Sequence, residues 1–221
     1  CFLITSVRNI LFDLKLIKSK SFNFPVIGIG NLSVGGTGKT PMVEFLIRML
    51  KNNYELAILS RGYGRKSKGF IISNPKSTTS CLGDEPFQIK KKFPSLSVAV
   101  DSNRKRGIQT LKDLKPPTQI IMLDDAFQHR RINPGISILL TVYNDLYSDD
   151  CLLPVGNLRE PIFGSKRAQI IIVTKCPEDL GSSEKQIIEK KLNIGQNQKL
   201  FFSSTVYDSK IYSNQKTKPL S

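Results

Sequence analysis

The chain has 221 residues, 39% hydrophobic and 23% charged, which supports one packed domain and excludes wholesale disorder. Lys and Arg total 33 against 18 Asp and Glu, a formal charge of +15, so the expected partner is anionic: nucleic acid, a phosphorylated small molecule or an acidic membrane surface. Four cysteines (1, 81, 151 and 176) form no CxxC pair and His129 is the only histidine, which argues against structural zinc and for reduced thiols of a cytosolic protein.

Residues 2–17 place Leu3, Val7, Ile10, Leu11, Leu14 and Ile17 at helical spacing, with Arg8, Lys15, Lys18 and Lys20 on or beside the polar side. Such a helix either docks on its own core or lies in a membrane interface with its basic residues toward anionic headgroups. No apolar run reaches the ~18–20 residues that span a bilayer, and no signal-peptide pattern is present.

Short apolar runs follow at Val26–Ile29, Leu56–Leu59, Val98–Val100, Ile120–Leu123, Ile136–Val142, Ile170–Val173 and Leu200–Phe202. Helical patterns lie between many of them, at Pro41–Leu50, Pro86–Phe93, Arg104–Leu114 and Ser183–Leu192. Continuous β-rich runs alternating with helices predict an α/β fold, a doubly wound, mostly parallel sheet with helices on both faces. Lys68–Ser73 adds a hairpin or an edge strand. The expected division is a helix over 1–22, a nucleotide-binding domain over 23–206 and a lysine-rich linker over 207–221.

The strongest motif runs from Gly30 to Pro41, between a strand and a helix, and contains Gly35-Gly36-Thr37-Gly38-Lys39-Thr40. A glycine-rich loop at a helix start presents backbone N–H groups to phosphate. Lys39 is expected at the β- and γ-phosphates and Thr40 at Mg²⁺, so the expected ligand is a nucleotide phosphate with Mg²⁺. Ser33 stands where the strict pattern has Gly. The run Ile120–Leu123 ends in Asp124-Asp125, which predicts the second acidic contribution to the metal, Asp124 first.

Gly83-Asp84-Glu85-Pro86 reads two ways. Asp84 is a helix N-cap, or it is the carboxylate that activates an acceptor hydroxyl. Arg61 and Tyr63 in Ser60–Arg65, and Arg159 in Leu152–Pro161, are expected near phosphate. His129 follows the acid pair closely.

Together these motifs resemble the tetraacyldisaccharide 4′-kinase (lipid A 4′-kinase) family. The matching pieces are Gly30–Pro41, Ser60–Arg65, Gly83–Pro86, Asp124–His129, Leu152–Pro161 and Val173-Thr174-Lys175, in the family's order over roughly residues 1 to 205. The resemblance implies a P-loop kinase that moves the γ-phosphoryl group of ATP to the 4′-hydroxyl of a tetraacyldisaccharide 1-phosphate in lipid A biosynthesis. It would work peripherally, at the cytoplasmic face of a Gram-negative inner membrane. It assigns the catalytic aspartate to Asp84 and Mg²⁺-associated acids to Glu85, Asp124 and Asp125. Arg104, Gln128, His129 and Arg159 fall at further sensitive positions. The implied partners are a lipid A disaccharide precursor and the anionic membrane surface, with no nucleic acid and no protein partner.

Ala126 stands where the family has Gly. No histidine follows His129, whereas the family's C-terminal part contributes one that partners the catalytic Asp; a fragment lacking that part is the expectation. The alternatives are a P-loop GTPase or metallochaperone-like NTPase, a non-catalytic lipid-binding fragment, and a nucleic-acid binder suggested by charge alone. Val173-Thr174-Lys175-Cys176-Pro177 disfavours the GTPase, because Pro177 offers no carboxylate to a guanine edge.

Overall fold

A computed structural model of the chain describes residues 2–206, 210–212 and 217–219. Helix α1 (Phe2–Asp13) precedes β1 (Val26–Asn31), α2 (Lys39–Leu50), β2 (Leu56–Ser60), β3 (Ile71–Ile72), α3 (Thr79–Leu82) and α4 (Asp84–Lys92). There follow β4 (Ser97–Val100), α5 (Arg104–Lys112), β5 (Ile120–Leu123), β6 (Ile136–Val142), β7 (Ile170–Thr174), α6 (Ser182–Leu192) and β8 (Lys199–Phe202). These eight strands make one sheet, ordered β3-β4-β2-β5-β1-β6-β7-β8. Every pairing is parallel except β3 on β4, the edge strand expected within Lys68–Ser73.

The apolar runs are strands because both of their faces are covered. Along β2, Leu56 and Ile58 enter the core beneath α2 and α4, while Ala57 and Leu59 enter the core beneath α5. In β6, Ile138 and Leu140 point to the first of these cores, and Leu139 joins Ile188 and Leu192 of α6 on the other face. Alternate side chains of a strand face opposite ways, so each strand serves two helical layers. The chain builds outward from β1 through β2 and β4, inserts β5 beside β1, then crosses to β6. That reversal is where open α/β sheets leave a crevice at the strands' carboxyl ends.

Helix α1 both docks and exposes an apolar stripe. Asn9 and Phe12 are buried. Arg130 donates to Asn9 O at 2.8 Å and to Asp13 Oδ1 at 2.6 Å, and its guanidinium lies 5.2 Å from the Phe12 ring centre. At about 100° per residue, Val7, Ile10 and Leu14 fall on the opposite side, and they are exposed. The following segment is stitched to the turn after β5: the Lys20 N–H donates to Arg131 O and the Asn133 N–H to Lys20 O, both at 2.9 Å. Residues 9–20 are therefore bonded into the domain that the sequence reading set apart from them. The linker expected over 207–221 lies largely outside the described residues; within it, Lys210–Tyr212 and Thr217–Pro219 pair as a short antiparallel ribbon. No helix among the described residues is long and apolar enough to cross a membrane.

Candidate active site

Strand β1 delivers the glycine-rich loop to the crevice. Gly38 caps α2 with φ 80°, a left-handed conformation that glycine adopts without strain, and no side chain caps the helix. The first N–H groups of α2 are thus left for an outside acceptor. The Thr174 hydroxyl ties the loop to the sheet, donating to Thr37 O at 2.9 Å and Thr141 O at 3.1 Å. The Thr37 hydroxyl is buried with no partner, and a side chain added at Gly35 or Gly36 would meet nothing within 4 Å. An orphaned donor, open N–H groups and free space above the loop fit a bound phosphate chain.

Beneath the loop lies a knot the sequence reading did not identify. Asn31, the fully buried last residue of β1, accepts at Oδ1 from Lys39 Nζ at 3.0 Å and from Arg159 Nη2. Its own amide donates to Ser33 O at 2.7 Å. Arg159 reaches this place because the 150–161 loop lies along the phosphate loop, with Val34 N–H donating to Asn157 O and Arg159 N–H to Leu32 O, both at 2.8 Å. The Arg159 guanidinium also grips the Asp125 carboxylate at two points, 3.1 and 3.2 Å, and Lys39 stands 3.5 Å from the same carboxylate. Burial works to raise the Asp125 carboxyl, but Arg159 and then Lys39 outweigh it and hold the group below its ordinary value.

Asp124 and Asp125 emerge beside the loop because β5 pairs with β1, Leu123 opposite Gly28. Asp124 is buried. Burial first, then the neighbouring Glu85 and Asp125 carboxylates, push it up to about 6 against the pull of Arg104 and Lys39. Carboxylates crowded together with incomplete compensation fit a divalent cation. Among the described residues no three Asp, Glu, His or Cys side chains form a metal cluster by themselves. Mg²⁺ does not require one, since it takes one or two carboxylates and completes its shell with phosphate and water oxygens. Arg104, one of the sensitive positions and a candidate substrate or phosphate contact, is only 3% exposed and donates to Asp124 O at 2.8 Å. Burial lowers its pKa to about 10 although Asp124 and Asp125 oppose the shift. It acts on the site through Asp124.

Gln128 is likewise internal. Its amide donates to Asn31 O at 2.7 Å and to Glu160 Oε1 at 3.3 Å. Glu160, also absent from the sequence-based candidates, is fully buried and accepts from Arg167 at 2.8 Å and from Asn9 of α1 at 3.3 Å.

The helix-cap reading of Asp84 is corrected. Gly83 is the N-cap of α4, with φ 85° and no side-chain bond, and Asp84 and Glu85 occupy the first helical turn, both exposed. A Cβ at Gly83 would stand 2.6 Å from Tyr63 O, so only glycine lets the Ser60–Arg65 loop rest on this helix start. Tyr63 itself is 92% exposed. Arg65 is spent on the loop, donating to Gly69 O at 2.8 Å. His129 is half-buried; burial and the charges of Arg104, Arg131 and Arg61 hold it below its ordinary value.

The family model for tetraacyldisaccharide-1-P 4′-kinase (LpxK) matches residues 1–219. The chain is 56% identical over 215 residues to a tetraacyldisaccharide 4′-kinase of Flavobacterium psychrophilum, covering 96% of this chain and 63% of that protein. It is 55% identical over 205 residues to one from Bacteroides thetaiotaomicron, covering 92% and 54%. The crystal structure of LpxK from Aquifex aeolicus in complex with ATP superposes with a TM-score of 0.70 at 32% identity, covering 95% of this chain and 80% of that one. The chain thus spans between about half and two thirds of the length of the curated relatives it matches. With the phosphate loop, the paired acids and the Arg159 loop in one crevice, the chain belongs to the tetraacyldisaccharide-1-phosphate 4′-kinase family.

Proposed function

We propose that this chain forms the nucleotide-binding and phosphoryl-transfer part of a kinase that phosphorylates the 4′-hydroxyl of a tetraacyldisaccharide 1-phosphate, an ATP-dependent step of lipid A biosynthesis. The observation that carries the reading is the crevice where Lys39, Arg159, Asp124 and Asp125 converge on an open glycine-rich loop. The Aquifex aeolicus relative, solved in complex with ATP, supports ATP as the donor.

Phosphoryl transfer is mostly positioning and charge stabilisation. The loop N–H groups and the Thr37 hydroxyl bind the phosphate oxygens. Lys39, held by Asn31, offers a fixed positive charge to the transferring group, and Arg159 supplies a second from the facing loop. Asp84, exposed and free of any capping duty, accepts the proton of the acceptor hydroxyl. Thr40, Glu85, Asp124 and Asp125 would hold Mg²⁺, which when bound neutralises charge on the phosphates. The exposed stripe of Val7, Ile10 and Leu14 would enter the cytoplasmic face of the inner membrane, where an acylated acceptor resides.

The full-length protein, given γ-labelled ATP and tetraacyldisaccharide 1-phosphate, should label the lipid. Asp84→Asn should lose at least about 100-fold in kcat, within the range of a general base, with melting temperature and ATP affinity unchanged. Near-normal turnover in that variant removes Asp84 from the mechanism, and an unlabelled lipid with the wild type removes the kinase reading.

A further inference from the structure

The two faces of the sheet are unequally covered at the β8 edge. On one face, Ile188 and Leu192 of α6 join Ile171, Val173, Leu200 and Phe202 in one core. On the other face, α2 and α4 are the helices that contribute to the core among the described residues. Helix α4 packs against β4 and marks one flank of α2: Lys92 pairs with Glu44, and the Arg48 guanidinium lies 5.6 Å from the Phe93 ring centre. At about 100° per residue, Phe45 and Met49 fall on the opposite flank, toward β6, β7 and β8. They are 57% and 53% exposed.

Strand β7 turns Ile170 and Ile172 to the same face, and the parallel register sets Lys199 and Phe201 of β8 beside them. Phe201 is 49% exposed. The flank of α2 and the face of β7 and β8 thus form the two walls of an apolar step. Their repeats nearly match, about 6 Å per four helical residues and about 6.6 Å per two strand residues. Parallel strands are stable with both faces covered, so the step calls for an occupant.

Two observations choose it. The matched residues make up 63% and 54% of the Flavobacterium psychrophilum and Bacteroides thetaiotaomicron relatives, so more than a third of each lies outside the match. Lys199 shares the face with Phe201, is exposed and takes part in no ion pair among the described residues. A two-fold contact would set this patch against itself, in a chain of charge +15. A covering segment with a carboxylate on its flank fits better than a second copy.

We propose that the step is the docking site of the carboxyl-terminal part of the full-length protein, the segment that follows residue 221. It lays an amphipathic helix between α2 and β8, with apolar side chains on Phe45, Met49 and Phe201 and a carboxylate toward Lys199. The contact ties that segment to the helix whose first residues are Lys39 and Thr40. Docking of this kind is independent of which acceptor the enzyme phosphorylates.

Photocrosslinking tests it. Full-length protein carrying Phe201→benzoylphenylalanine, or the same replacement of Phe45, keeps an aromatic ring at the step. After irradiation without nucleotide or lipid, the expected adduct runs as a monomer and joins the probe to a peptide beyond residue 221. The same probe at Ile187, 56% exposed on α6 at the opposite face, should not reach that peptide. An adduct between two chains would assign the step to a second copy. An adduct on lipid, formed with phosphatidylglycerol vesicles, would assign it to the membrane. Either result overturns the proposal, and so does the absence of an adduct from both probes. Phe45→Asp and Phe201→Asp should each lower the melting temperature of the full-length protein by several degrees, the loss expected for a charge set into a buried contact. Ile187→Asp should change it little. Small and equal changes in all three variants would mean that the step stays in water, which also overturns the proposal.

Discussion

Asn31 holds Lys39 and does so from inside the sheet: its Oδ1 accepts the Lys39 ammonium at 3.0 Å while its amide is fixed on Ser33 O at 2.7 Å. The same oxygen accepts from Arg159. One neutral side chain thereby sets the spacing of two cations that would otherwise repel. Asn31→Ala should free both, lowering kcat by about tenfold or more through lost orientation, with a smaller change in ATP affinity. Equal losses in both quantities would mean that Asn31 merely supports the fold.

Asp124 gives the fold a definite pH signature. Its native value of about 6 lies above the ordinary 3.8, so the native state keeps a proton that the unfolded state has lost. Stability therefore falls as pH rises from about 4 to 6 and stays lower above that window, by on the order of 2–3 kcal/mol in the absence of metal and nucleotide. Asp124→Asn should melt higher than wild type at pH 8 and gain nothing below pH 4. A gain of the same size at both pH values would contradict the burial argument.

Glu160 should be the costliest of the buried acids to remove. Its carboxylate is fully buried against Arg167, whose guanidinium also lies 4.6 Å from the Phe127 ring centre. Burial lowers the Arg167 pKa even though Glu160 opposes the shift. Glu160→Ala strands that cation, and losing one partner of a buried pair costs about 3–5 kcal/mol; because Arg167 retains some solvent, the lower end is expected. Chemical denaturation of the variant beside Glu160→Gln measures it.

The exposed stripe of α1 is separable from its docked side. Val7→Asp combined with Ile10→Asp should reduce binding to anionic vesicles at least severalfold through lost apolar burial, with little change in melting temperature. Deleting residues 2–20 is a poorer experiment, because it also removes Asn9, Phe12 and Asp13 from Arg130 and Glu160. Vesicle binding that survives the double substitution would leave α1 as a docked element only.

The parallel sheet was legible because its strands are unbroken apolar runs, and the phosphate loop because Gly38-Lys39-Thr40 follows one of them. The edge strand was legible only as an option, since Ile71–Ile72 is two residues long. Asp84 misled as a cap because a carboxylate before Glu-Pro has the right chemistry, whereas the steep turn beneath Tyr63 O demands glycine at the capping position. The resemblance marked Arg104 as sensitive without a role, because no local pattern reveals that Asp124 O accepts from it inside the fold. Asn31 was hidden in plain view, one polar residue closing an apolar run, and Glu160 lies beside Arg159 in the Leu152–Pro161 loop with nothing local to give it a role. Decisive partners lie far along the chain, Arg159 128 residues from Asn31 and Asn9 151 residues from Glu160, and no local pattern encodes such pairings.

The bond from Asn9 to Glu160 makes the amino-terminal helix a non-interchangeable part. Glu160 is contiguous with Arg159, and Gln128 joins it to Asn31, so the helix and the crevice share one polar framework. A chimera receiving this helix from a relative with a different residue at position 9 would leave Glu160 Oε2 with Arg167 alone, cutting the tie between the helix and the phosphate-binding machinery. Grafts in this family should succeed when helix and 157–167 loop travel together, and fail when either travels alone.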